Sequence, residues 1–201
     1  MGAGGAAGRR PPAPPVYPAA MPAISAGLLL YRRVADPESG AGRVEVLLVH
    51  PGGPYWAKKD AGAWSIPKGL AEPDELGPAP ATATAAKARN RAAGADLLAV
   101  ALREVREETG LEPAGPFQPL GGVKAHGHKL VFAWAAEHDC DASAVVSNTF
   151  TMEWPPRSGR QAEFPEVDRA AWFTLEAARE AIVPVQRRFL DDLAVVAAAG
   201  A

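Results

Sequence analysis

An α+β fold, or a sandwich around a mixed sheet, is predicted by the order of elements in this 201-residue chain. Strand-like and helix-like segments follow one another in mixed order, and several strand pairs are separated only by hairpin-sized turns. A compact apolar run at Leu28, Leu29 and Leu30 marks a buried strand, while Leu97, Val100, Ala101 and Val105 recur at helical spacing.

Taken in order, Ile24 to Arg33 and Val44 to His50 are the first two strands. A Pro/Gly turn from Asp36 to Gly42 joins them, which predicts a hairpin. Pro51 to Ala63 is a long loop holding Gly52, Gly53, Tyr55, Trp56, Lys58 and Lys59. Trp64 to Ile66 is short and extended, ahead of Pro67, Lys68 and Gly69. Leu76 to Ala95 is rich in alanine, poor in large apolar residues, and predicts an exposed low-complexity loop with transient helix around Ala85 to Ala92. Asp96 then suits the N-cap of a helix that Gly110 stops.

Gly121 to Ala125 and Lys129 to Ala136 predict strands about a His126-Gly127-His128 turn, and Asn148 to Met152 another strand. Glu153 to Asp168 reads as a polar, proline-containing loop. Ala170 to Thr174, with Trp172 and Phe173, is a short closing strand. Leu175 to Ala181 and Val185 to Ala198 are helices separated by Pro184.

Composition narrows the function classes. With 48% hydrophobic and 22% charged residues, the chain fits a globular protein of one domain, spanning residues 23–199. A net charge of −2 gives no basic field for nonspecific nucleic-acid binding. The single cysteine, Cys140, excludes an intrachain disulfide and fits a reducing, cytoplasmic setting. No apolar run approaches the roughly 20 residues of a membrane helix. Residues 1–22 lack an apolar signal core and predict a disordered tail.

The chemistry concentrates in Arg103-Glu104-Val105-Arg106-Glu107-Glu108-Thr109-Gly110-Leu111. At about 100° per residue, Glu104, Glu107 and Glu108 share one helical sector. Two of them lie in the last turn, beside the negative end of the helix dipole. Each such placement costs on the order of tenths of a kcal/mol. A divalent cation is the simplest compensation. His126 and His128 have no third ligand at useful spacing, and Cys140 has no base beside it.

Gly69, five residues, Glu75, and then Arg103 to Leu111 resemble the Nudix box. The usual pattern is Gly, five residues, Glu, seven residues, and then Arg-Glu-apolar-x-Glu-Glu-x-Gly-apolar. The second half matches at every fixed position. The spacing departs from the pattern: Leu76 to Ala95 is a 20-residue insertion (95 − 75) within the box. Loop closure costs only about 0.6 kcal/mol per doubling of length, so Arg103 can still reach Glu75. PGGPYWAKKDAGAWSIPKG and EWPPRSGRQAEFPEVDRAAWF are further similar to a bacterial subgroup of predicted nucleotide pyrophosphohydrolases.

The resemblance implies an α/β/α sandwich and a hydrolase that uses Mg²⁺, or Mn²⁺, to cleave a diphosphate linkage in a small-molecule nucleotide. It implies Glu104, Glu107, Glu108 and the Gly69 carbonyl as metal ligands, with Arg103 holding Glu107 or Glu75. The general base is a box glutamate or a later one, Glu166 or Glu163. Lys68, Lys58, Arg157 and Arg160 are candidates for substrate anions, and Trp56 for a nucleobase. Nucleoside triphosphate pyrophosphohydrolysis is the first expectation. Dinucleoside polyphosphate (Ap4A-type) hydrolysis is the alternative, and a non-catalytic nucleotide sensor the third. Oligomeric state is left open, a homodimer being one option.

Overall fold

The triple leucine of the first strand sets the layering. Side chains alternate across a strand, so Leu28 and Leu30 face one way and Leu29 the other. All three are fully buried. Leu28 and Leu30 pack with Leu97, Val100, Ala101 and Val105, and Leu29 packs with Phe189, Leu190 and Leu193. Helices therefore cover both faces of a central sheet, as the resemblance implies. Each of these large apolar side chains contributes roughly 1.5–3 kcal/mol by leaving water.

The computed structural model describes residues 23–35, 42–76 and 97–199. The expected tail (1–22), nearly all of the Asp36-to-Gly42 turn, the inserted segment beyond Leu76 and the Asp96 cap lie outside the described residues. In chain order the elements are β1 (Ile24–Ala35), β2 (Gly42–Pro51), β3 (Lys68–Leu70), α1 (97–109), β4 (Gln118–Lys124) and β5 (Leu130–Glu137). There follow β6 (Thr149–Glu153), β7 (Gln161–Pro165), β8 (Val167–Thr174), α2 (Leu175–Ala181) and α3 (Arg187–Ala199).

The six-stranded sheet runs β4-β5-β1-β2-β8, with β3 also paired to β1. The β1–β5 pairing is parallel and the others are antiparallel, so the sheet is mixed. Strand β1 changes partners along its length. Tyr31 to Ala35 pair with β2, whereas Ser25 to Gly27 pair with β3. Where β1 and β2 part, the segment before β3 fills the gap. The Pro67 carbonyl accepts from the Leu28 N–H at 3.1 Å, and Ser65 and Val49 exchange two bonds of 2.9 Å. This fork carries β3 to the helix α1.

Two expectations are corrected. Glu153 to Asp168 is not a single loop: Gln161–Pro165 is a strand paired with β6 from Thr149↔Pro165 to Glu153↔Gln161, and β8 already begins at Val167. Burial alternates only between exposed and half-buried along β6 and β7, so this hairpin lacks the apolar run that marks a core strand. Lys68–Leu70 is likewise a strand, formed by backbone pairing where sequence shows only a loop approach. Among the described residues no helix is long and apolar enough to cross a membrane.

Candidate active site

Helix α1 ends as its sequence dictates. Gly110 takes φ 72°, and its N–H donates to the Arg106 carbonyl at 2.8 Å. The apolar stripe is driven into the sheet by Val100, Ala101 and Val105, which are fully buried. That leaves Arg103, Glu104, Glu107 and Glu108 turned toward the fork in the sheet.

Arg103 organises the cluster. Its Nε and Nη2 donate to the two Glu75 carboxylate oxygens, each at 2.9 Å. Nη1 donates to Glu104 Oε1 at 2.7 Å and to Glu107 Oε2 at 3.1 Å, and Nη2 also reaches the Leu70 carbonyl of β3 at 3.1 Å. The planar guanidinium thus joins three carboxylates and one strand through fixed directions. Arg103 pulls the Glu75 carboxyl below the usual carboxylate range, and the Glu75 pair holds the guanidinium well above its ordinary value.

Strand β3 meets the helix from above. The Lys68 backbone N–H donates to Glu108 Oε2 at 2.7 Å. A Cβ at Gly69 would lie 1.8 Å from Glu104 Oε2 and 2.6 Å from Glu104 Oε1. Only glycine lets the carboxylate approach the strand backbone so closely. Burial pushes the Glu108 carboxyl up to about 7, against the pull of Lys68, and the charges of Glu104 and Glu166 add to the rise. Glu104 is also raised, by burial first and then by Glu107 and Glu166, in opposition to Arg103. Burial and the neighbouring Glu107 raise Glu166.

Glu166 is hung on the helix end by a backbone relay. The Asn148 N–H donates to the Glu107 carbonyl at 3.0 Å, and the Asn148 carbonyl accepts from the Glu166 N–H at 2.9 Å. Val146 N–H caps the Thr109 carbonyl at 3.2 Å. On its other side, the Glu166 carbonyl accepts from Gly52 N–H at 2.9 Å. Orphan carbonyls at the helix C-terminus are thereby satisfied and the later glutamate is registered to the earlier ones.

The structure therefore brings together Gly69, Glu75, Arg103, Glu104, Glu107, Glu108 and Glu166. Glu163 instead stays on the hairpin, where its carboxylate accepts from the Thr149 hydroxyl. Trp56 and Lys58 lie exposed on the loop that leaves Gly52, and Arg157 and Arg160 lie exposed on the turn between β6 and β7. The loop starts beside Glu166, through the Gly52–Glu166 backbone bond, whereas the turn lies at the other end of the hairpin, where Trp154 meets Tyr55 of the same loop edge-on. Lys129 was not anticipated: it is half-buried, its ammonium feels Lys68, Glu104 and Glu108, and burial lowers it from its ordinary value. Its only sequence signal was a charge at the start of an apolar strand.

The carboxylate set suits a hard divalent cation. Among the described residues, however, no three His, Cys, Asp or Glu side chains converge as they stand into a metal-holding group. Glu104 and Glu107 are drawn onto Arg103 instead. The side-chain-free backbone at Gly69 leaves its surroundings open to Glu104, and burial with mutual repulsion raises these carboxyls, a strain that a nearby cation would relieve.

Comparison with known proteins agrees with this fold. No curated protein matches the chain. Among solved structures, the C. elegans Ap4A hydrolase in a binary complex aligns with a TM-score of 0.53 at 20% identity, over 87% of this chain and 98% of that one. The NUDIX domain of Shewanella oneidensis NrtR, complexed with ADP ribose, aligns with a TM-score of 0.51 at 14% identity, over 88% and 89%. A mutT/nudix family protein from Listeria innocua gives 0.50 at 16% identity, over 90% and 97%. At such identities the likeness is one of fold. The family model described as the NUDIX domain matches residues 90–193, which is 104 (193 − 90 + 1) of the 201 residues and includes the whole glutamate face of α1. On that match, and with the mixed sheet and forked strand that present the helix, the chain belongs to the NUDIX family.

Proposed function

We propose that this protein is a Mg²⁺-dependent nucleoside triphosphate pyrophosphohydrolase, releasing a nucleoside monophosphate and pyrophosphate. The observation that carries the reading is the crowding of Glu104, Glu107, Glu108 and Glu166 on one another, with Glu104 set against the backbone of Gly69 and Glu108 on the Lys68 N–H. Crowded carboxylates oppose folding unless a cation relieves them. Mg²⁺, or Mn²⁺ in its place, would be held by Glu104, Glu107, Glu108 and the Gly69 carbonyl. Once bound, it supplies charge neutralisation at phosphate oxygens and a more acidic water.

The chain's own groups do the rest. Arg103 fixes Glu104 and Glu107 relative to Glu75, so that their positions do not depend on long flexible side chains. Glu166 accepts the proton of the attacking water, and its raised carboxyl suits a general base better than an unperturbed one. Lys68, Lys58, Arg157 and Arg160 supply positive charge to the phosphate chain, and Trp56 offers a face to the base.

The deciding experiment incubates the purified protein and Mg²⁺ with nucleoside triphosphates, diadenosine tetraphosphate and nucleotide sugars, and identifies products. Pyrophosphate with monophosphate is expected from a triphosphate. ATP with AMP from diadenosine tetraphosphate, with triphosphates inert, would install the dinucleoside polyphosphate reading instead. Nucleotide binding without turnover would make the protein a sensor.

A further inference from the structure

We propose that His50 is a positioning residue for nucleotide binding, which acts by fixing the loop that carries Trp56 and Lys58. This rests on the substrate roles given above to those two residues. His50 sits near the end of β2 and is fully buried, yet both ring nitrogens are engaged. Nδ1 lies 2.7 Å from Asp168 Oδ1, and Nε2 lies 2.8 Å from the Lys59 carbonyl oxygen. The Lys59 carbonyl and the Asp168 carboxylate both only accept, so Nε2–H donates to Lys59 and Nδ1–H to Asp168. Asp168, on the other nitrogen, holds the ring in that orientation.

What the ring grips is the far end of the substrate loop. The Lys59 N–H donates to the Trp56 carbonyl at 2.7 Å, and the Lys59 ammonium stands 4.6 Å over the Trp56 ring. Asp60, the next residue, accepts from Trp64 Nε1 at 2.8 Å. Trp64 meets the His50 ring edge-on at 5.3 Å between centroids. Arg169 spans the same corner, 3.6 Å from Asp168 and 3.7 Å from Asp60.

The near end of the loop is equally tied. Gly52 N–H bonds the Glu166 carbonyl, and a Cβ at Gly52 would lie 2.0 Å from the Pro165 carbonyl oxygen. Both ends of the loop are thus registered to residues 165–168, the stretch that presents Glu166. An ordinary core histidine would need only its packing and one partner. This one spends its second nitrogen on the backbone of an exposed loop, which places Trp56 and Lys58 relative to the base.

The test uses His50→Gln and Asp168→Asn in the full chain. A glutamine amide reaches one of the two acceptors, not both. Its KM for the preferred nucleotide should rise about five- to tenfold with kcat within about threefold of wild type. Amide exchange across residues 53–60 should accelerate about tenfold while β1 and β5 stay protected. Asp168→Asn should keep KM near wild type, because the asparagine amide still bonds Nδ1 and leaves the Nε2–H on Lys59.

Unchanged KM and unchanged loop exchange in His50→Gln would overturn the proposal, as would a fall in kcat alone. Should wild type turn over no nucleotide, the proposed function fails while the exchange measurement still decides whether His50 holds the loop. Should His50→Gln not fold, the wild type decides: a solvent-protected His50 Nε2–H resonance is expected, and its absence would refute the clamp.

Discussion

Arg103 and Glu75 meet through two parallel hydrogen bonds, Nε to Oε1 and Nη2 to Oε2, both 2.9 Å long. The two residues are 28 apart in sequence, on opposite sides of the inserted segment. Glu75→Gln removes the charge and one acceptor of this fork while leaving its volume. Arg103 then loses its strongest partner and with it the fixed direction of Nη1 toward Glu104 and Glu107. We expect kcat to fall about 10- to 100-fold with the melting temperature changed by only a few degrees. Steady-state kinetics and thermal melts check both.

Cation binding should be visible without substrate. Mg²⁺ at ten times its dissociation constant should stabilise the fold by about 1.4 kcal/mol, a shift of a few degrees in melting temperature. Glu108→Gln and Glu104→Gln should each abolish that shift and lower kcat by about 10² to 10⁴ while the protein stays folded. A retained Mg²⁺ shift in both variants would remove these residues from the cation site.

Gly69→Ala is the smallest substitution that tests the approach of β3 to α1. The added methyl would stand 1.8 Å from Glu104 Oε2, so the carboxylate must withdraw. Catalysis should drop about 100-fold, and Mg²⁺ affinity should weaken with it. The β1–β3 pairing through Ala26↔Gly69 uses backbone groups and should survive. Circular dichroism separates the two effects.

Away from the site, Glu45 is 7% exposed and lies between two guanidiniums. Arg32 donates to Oε2 at 3.0 and 2.8 Å, and Arg43 to Oε1 at 3.1 and 2.7 Å. Burial pushes the Glu45 carboxyl up, but the two arginines outweigh it and the carboxyl ends below its ordinary value of 4.5. A depressed carboxyl contributes stability above the unfolded value and loses it as pH falls. Wild-type stability should therefore decline below about pH 4.5 more steeply than that of Glu45→Gln. At pH 7 the variant should be less stable by about 2–3 kcal/mol. Denaturant midpoints across pH 3 to 7 provide the measurement.

The helix and its glutamate face were legible because two local signals coincide there: apolar spacing with a glycine stop, and like charges that no plain helix favours. The Arg103–Glu75 pair was legible only as a possibility of reach, since nothing local links residues across the insertion. Glu166 stood as one of two later glutamates. What separates it from Glu163 is the backbone relay through Asn148, which no side-chain pattern encodes. Of the β6–β7 hairpin, Asn148 to Met152 was legible as a strand, whereas β7 was read as loop because it is nowhere fully buried and its pairing is a matter of backbone register. His50 looked like the last polar residue of an apolar strand. Its partners, Lys59 and Asp168, are fixed by how β2 lies beside β8 and by where the loop returns.

The hairpin β6–β7 forms a two-stranded sheet of its own, and touches the loop after β2 where Phe150 meets Gly53 and Pro165 meets Gly52. No strand of the six-stranded sheet passes through it. Lineages can lengthen, shorten or exchange this appendage without reordering any strand that carries the box. Its turn, with Arg157 and Arg160 exposed, can be changed in length or charge without touching the pairing that presents the glutamates.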